Sequence, residues 1–241
     1  MVGKAQDKIG IGNVPDGADS VGIGSNTVWV KPSSFDPNAF VMRISVTANQ
    51  KITIPFYNTT GYNGVINWKD GTTSTITAYN DADRVHTYAT AGDYDIEFSG
   101  TFKGFYFNNT GDKAIVKQII QWGNIGMTST ANAFYGCSNL FDLGDLGNSS
   151  SITSLGNYCF FNCTSLSSII IPSSITSLGN YCFYGCRYML SYYVNPTTPP
   201  TLGPSALTGA TGWKIYVPSA SVTAYKAASG WSSYASRIFA Q

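Results

Sequence analysis

The sequence predicts a mainly β protein in three parts: an N-terminal extended arm, a small β-sandwich, and a short solenoid of stacked repeats closed by a C-terminal capping helix. Three observations predict it. Composition leans to strands and turns, with 16 Tyr and 25 Gly in 241 residues, types that suit pleated surfaces and tight turns. Residues 40–107 alternate apolar and polar side chains with the period of two of a half-buried strand. Beyond them a phrase recurs after 23 residues, a period that belongs to stacked repeat architectures.

The arm is assigned to residues 1–38. It carries Gly-Ile-Gly at Gly10–Gly12 and again at Gly22–Gly24, with Pro32 and Pro37 as punctuation. Its apolar residues Ile9, Ile11, Val21, Ile23, Val28, Trp29 and Val30 exceed what a solvated linker needs, so they are candidates for an anchor or an oligomer contact. An N-terminal strand packed on the next domain explains them equally well.

The sandwich is assigned to residues 39–110. Six short strand-like runs fall here: VMRISVT, KITIPF, GVINW, STITAY, YDIEFSG and GFYF, separated by turn signals such as Asn49-Gln50 and Lys69-Asp70-Gly71. The segment Asn67-Trp68-Lys69-Asp70-Gly71, followed by His86-Thr87-Tyr88 and Ala91-Gly92-Asp93-Tyr94, resembles the WGDG, HTY and AGxY pattern of PKD-like domains. It departs from that pattern at Lys69, where Gly is usual. The resemblance implies an Ig-like sandwich in which Asp70-Gly71 makes a hairpin turn and His86-Thr87-Tyr88 leads into a core strand. It therefore implies structural roles for these residues.

The repeats are assigned to residues 111–241. Ile152 to Cys163 reads ITSLGNYCFFNC, and Ile175 to Cys186 reads ITSLGNYCFYGC. A weaker copy begins at Ala133, and the strand Ile169–Pro172 maps onto Tyr192–Asn195 and Ile215–Pro218 at the same step. The unit resembles the BspA-type leucine-rich repeat over Ala131–Pro218. A PKD-like module, an Ile120-Gln121-Trp122-Gly123 segment and such repeats in that order resemble a group of bacterial surface proteins, with close relatives on phage fibres. The stretch Ala224–Trp231 resembles the short helix that caps such arrays, with Ser219 or Ser221 as its candidate N-cap. Within a coil, Ile152, Leu155, Phe160, Cys163, Leu166, Ile169 and Ile171 would face inward, a face that only stacking can bury.

Strand alternation then isolates a candidate ligand-binding row. With Ile169/Ile171, Tyr192/Val194 and Ile215/Val217 inward, Ile170, Tyr193 and Tyr216 line up on the opposite face. Tyrosine offers a rigid apolar body and a hydroxyl, suited to stacking on sugar or anchoring a protein. Loops, the capping helix or a neighbouring subunit could instead cover the row.

Charge and chemistry exclude several classes. Charged residues are 11% of the chain, and 14 Lys+Arg nearly cancel 13 Asp+Glu, so nothing marks a nucleic-acid partner. The one His, at position 86, has no nucleophile and orienting carboxylate at motif spacing, and no catalytic residue, cofactor or metal is assigned. Cys159, Cys163, Cys182 and Cys186 have a spacing that could hold zinc, but each falls at an equivalent place in its coil and Cys137 continues one column. A ladder of small buried side chains accounts for them; disulfides between neighbouring coils are the other alternative. Asp81, Asp83, Asp93 and Asp95 lack the spacing of a calcium loop, and four glycosylation sequons are what an Asn-, Ser- and Thr-rich chain yields by chance.

These readings lead to a non-enzymatic surface protein. Residues 1–20 hold no apolar run of signal-peptide length and no later segment approaches a membrane span, which favours a virion fibre or decoration protein and a virion-surface location. The expected partners are a capsid or tail protein through the arm and a host-surface glycan or protein through the repeats, in a homo-oligomer. The alternatives are an adhesin on the bacterial surface or in the extracellular space, and a glycan-binding accessory module of an enzyme system.

Overall fold

The computed structural model describes residues 35–241 and, before them, the backbone of residues 20–23 and 26–29. The chain divides into two compact units, Met1–Asp36 and Pro37–Gln241. In the first, β1 (Ser20–Ile23) and β2 (Asn26–Trp29) pair antiparallel from Ser20↔Trp29 to Ile23↔Asn26. Within the expected arm these two strands therefore run antiparallel to each other. Of the candidate anchoring residues, Val21, Ile23, Val28 and Trp29 belong to this pair by their backbone, while Ile9, Ile11 and Val30 lie outside the described residues.

The second unit opens with seven strands: β3 (Phe40–Val46), β4 (Gln50–Thr53), β5 (Asn63–Asn67), β6 (Thr73–Ile76), β7 (Val85–Tyr88), β8 (Gly92–Thr101) and β9 (Val116–Gln121). They form a five-stranded antiparallel sheet in the order β6-β5-β8-β3-β9 and a separate β4-β7 pair. On β3 the alternation puts Met42, Ile44 and Val46 in the core and leaves Arg43 and Ser45 half-buried, as a period of two demands. Phe56, Phe98, Phe102 and Phe105 pack edge-on and tilted at centroid distances of 5.2–6.4 Å, the arrangement aromatic quadrupoles prefer.

The segment around Trp68 is a tied corner. Trp68 Nε1–H donates to Ser74 Oγ at 2.9 Å, and the Tyr88 hydroxyl donates to the Trp68 carbonyl at 3.1 Å. Lys69, where the resembled pattern has Gly, sits at φ +61°, a left-handed conformation that glycine adopts without cost. Its side chain reaches Glu97 at 2.6 Å, a contact that glycine could not make.

The repeat half is built from parallel strands. β10 (Ser154–Leu155), β12 (Ser177–Leu178) and β14 (Thr201–Leu202) form one sheet; β11 (Ser168–Ile171), β13 (Ser191–Val194), β15 (Lys214–Val217) and β16 (Ile238–Ala240) form another. The registers Ile169↔Tyr192, Tyr192↔Ile215 and Ile215↔Ile238 preserve the sequence period. Between the sheets Phe134, Phe160 and Phe183 stack in a column, with centroids 5.6 and 5.2 Å apart. The Leu-Gly step recurs because there is no room for a side chain. A Cβ on Gly179 would lie 2.5 Å from the backbone nitrogen of Asn157, and one on Gly203 would lie 2.5 Å from that of Asn180.

The helix α1 (Val222–Ala227) lies between β15 and β16, where the capping helix is expected. Ser221 holds its N-cap position, but its hydroxyl donates to the Thr197 carbonyl at 2.8 Å and ties the cap to the stack.

The last expected strand of the sandwich is different. Instead of a strand, GFYF gives a single bridge, Phe56↔Phe105, and then begins the stack. Phe107 N–H donates to Ala133 O and Asn109 N–H to Tyr135 O, as Phe134 N–H does to Cys159 O and Gly136 N–H to Phe161 O one rung later. β9 completes this first rung. One edge pairs antiparallel with β3, while the other runs parallel to the next rung through Phe141 N–H to Lys117 O and Ile119 N–H to Asp142 O. Trp122 seals the joint against Phe40, Phe134 and Phe160, and a Cβ on Gly123 (φ +58°) would collide with the Ala39 carbonyl. The expected boundary at 110/111 thus falls within one compact unit with a continuous core.

Candidate recognition surface

The outward row is built by register. β11, β13, β15 and β16 lie side by side, and Ile170↔Tyr193, Tyr193↔Tyr216 and Tyr216↔Phe239 are opposed pairs. Their inward neighbours Ile169, Ile171, Tyr192, Val194, Ile215, Val217 and Ile238 are buried. Ile170 is 56% exposed, Tyr193 39% and Phe239 42%, with Tyr216 half-buried between them. The row expected from alternation is thus assembled, and one member was missed. Phe239 stands 23 residues after Tyr216, so the repeat period itself was the signal; the intervening helix and the absence of an Ile-Pro ending concealed it.

The way the rings sit alters the chemistry expected of them. Tyr193 and Tyr216 stack with centroids 5.1 Å apart at 14°, and Tyr216 meets Phe239 at 6.3 Å and 43°. Strand spacing holds neighbouring side chains at that separation, so Tyr193 and Tyr216 turn one face of each ring toward each other. The row offers solvent an apolar strip of ring edges, with Lys214 Nζ 5.3 Å from the Phe239 centroid. Such a strip suits an apolar contact better than flat stacking of a sugar on each ring.

His86 is held as a structural residue. Its ring stacks on Trp68 at 4.5 Å and 9°, and its Nε2 is 2.7 Å from Asp70 Oδ2. Burial works against the charge of Asp70, but the Thr72 hydroxyl, His86 and the Thr72 N–H outweigh it and hold the carboxyl below its ordinary range. The Thr72 hydroxyl is engaged by Asp70, and that of Ser74 accepts from the Trp68 indole.

All five cysteines are free and buried. The Cys163 thiol donates to Phe134 O at 3.1 Å and the Cys186 thiol to Phe160 O at 3.2 Å, so each bonds the rung before it. Burial pushes the Cys186 thiol up to about 12 and those of Cys163 and Cys182 well above their ordinary value. Cys163, Cys182 and Cys186 are therefore inert, protonated side chains. Of the acidic residues, Asp95 pairs with Arg43 at 2.7 Å, and Asp81 accepts from the backbone of Thr77 and Asp83. Among the described residues no group of three or more His, Cys, Asp or Glu is placed to hold a metal ion, and no helix is long and apolar enough to cross a membrane.

Comparison with known families matches residues 125–228 to six copies of the BspA type leucine rich repeat region. No curated protein matches the chain.

Proposed function

We propose that this is a non-catalytic binding protein displayed on a surface, in which the repeat stack presents the row Ile170, Tyr193, Tyr216 and Phe239 to a protein or glycan partner. The observation that carries the reading is the row itself: four apolar side chains in register on an open sheet face. Isolated exposed apolar residues are ordinary, whereas an aligned run marks an interaction site. The repeat match supports it, as does the structural occupation of His86 and the cysteines.

Display on a virion, as a fibre or decoration protein anchored through residues 1–38, is the location we favour; a bacterial cell surface is the second reading, supported by the repeat type. Density-gradient fractionation of the producing culture, with this protein quantified by mass spectrometry, tests both. Co-sedimentation with phage particles at a fixed ratio to the major capsid protein is the expected result, and recovery with envelopes would make it an adhesin. Recovery in the soluble cytosolic fraction alone would overturn surface display.

A further inference from the structure

The turn edge of the stack carries a second aromatic array. Tyr135, Phe161 and Tyr184 form one column; Tyr158 and Tyr181 form another. Phe161 and Tyr184 stack at 5.3 Å and 22°, Tyr158 and Tyr181 at 5.3 Å and 11°. The stacked pairs cover one face of Tyr181 and one of Tyr184, and these two terminal rings meet each other in a T-shaped contact at 5.5 Å and 76°.

The register shows where the columns end. Tyr181 N–H donates to Pro204 O and Phe183 N–H to Ala206 O, as Tyr158 N–H does to Asn180 O and Phe160 N–H to Cys182 O. The left-handed φ recurs too, at 56° for Tyr158, 55° for Tyr181 and 52° for Ser205. Ser205 is therefore the next member of the Tyr158/Tyr181 column, and Thr208 of the Tyr184 column. Among the described residues no ring stacks on the far face of Tyr181 or Tyr184, and Tyr184 is 42% exposed. At Ser205 opens a cleft of about 300 Å³ between this rung and the cap, lined by Pro204, Ser205, Ser229, Ser233 and Tyr234 among others, a volume at the small end of ligand sites.

Charge selects the ligand class. Residues 124–241 contain six charged side chains, Asp142, Asp145, Arg187, Lys214, Lys226 and Arg237, and none of them lines the cleft, so the cleft itself has no charge with which to hold a polyanion or a charged peptide. Ser205, the next member of the Tyr181 column, lines a cleft that also holds Ser229, Ser233 and Tyr234, a mix of hydroxyls and ring that matches a neutral sugar, whose C–H face packs on a ring while its hydroxyls hydrogen-bond. We infer that this edge is a neutral-glycan site, with Tyr181 and Tyr184 as end platforms and the Ser205 cleft receiving one sugar residue. It is separate from the sheet row and stands or falls without it.

The test is affinity electrophoresis of the full chain in native gels containing dextran, mannan, arabinogalactan or, as the anionic control, heparin. Retardation by at least one neutral polymer is expected. Tyr181→Ala and Tyr184→Ala each remove a platform, and each should weaken binding about tenfold. Tyr193→Ala with Tyr216→Ala is the separate probe of the sheet row. The inference is overturned by no retardation on any neutral polymer, by retardation on heparin alone, or by neutral binding that survives both edge variants. Loss only in the Tyr193/Tyr216 variant would sink this site and leave the sheet row standing.

Discussion

Gly179 shows how a single atom sets the repeat. Its missing Cβ lets the backbone of one rung lie on that of Asn157, so Gly179→Ala must push two rungs apart. Overpacking of this kind costs roughly 1–3 kcal/mol, and urea unfolding should show a midpoint lowered accordingly; an unchanged midpoint would mean the rungs can slide. Asp70 makes a different residue-scale prediction. Its folded pKa lies below 3.8, so the stability it contributes is fully present above that value and lost as pH falls through the lower folded value. Asp70→Asn should flatten the loss of stability below about pH 3.8 in acid titrations followed by near-ultraviolet circular dichroism. Lys69 explains itself only in the structure: the position needs a left-handed backbone, and the chain uses lysine there for its contact with Glu97.

At the scale of elements, the thiol ladder replaces the metal site that cysteine spacing alone suggests. Cys163 and Cys186 donate to carbonyls of the preceding rung and are wholly buried. A disulfide reagent should therefore find none of the five thiols in the native protein and all five in guanidinium; rapid native reaction would show that the rungs open. Much of this level could be read from the chain, because a 23-residue period with alternation inside each strand fixes which residues share a face. Ile170, Tyr193 and Tyr216 came from that rule. The stacking of Tyr193 on Tyr216 did not, since alternation says which way a side chain points and nothing about how neighbouring rings lean. The pairing of β1 and β2 was hidden in a Gly-rich stretch that also reads as a turn-filled arm.

The whole molecule depends on one shared rung. Phe107, Asn109 and β9 supply the first layer of the stack while β9 completes the five-stranded sheet. Sequence placed a boundary there because this rung lacks the Cys and Leu of its successors and its strand follows after a longer loop. Terminal repeats in such arrays need a cap, and here the preceding sheets are that cap. Residues 111–241 expressed alone should lack a cooperative thermal transition, whereas residues 37–241 should melt in one step; a cooperative melt of the shorter piece would refute the shared rung.

Recognition by the sheet face is tested most directly by a binding isotherm of the fluorescently labelled protein on intact bacterial cells from the producing culture. It is compared with the variant carrying Tyr193→Ser, Tyr216→Ser and Phe239→Ser. With far-ultraviolet circular dichroism unchanged, the row predicts an affinity at least about tenfold lower, the loss expected when a cluster of buried contact residues is truncated. Equal affinity for the two proteins would contradict it.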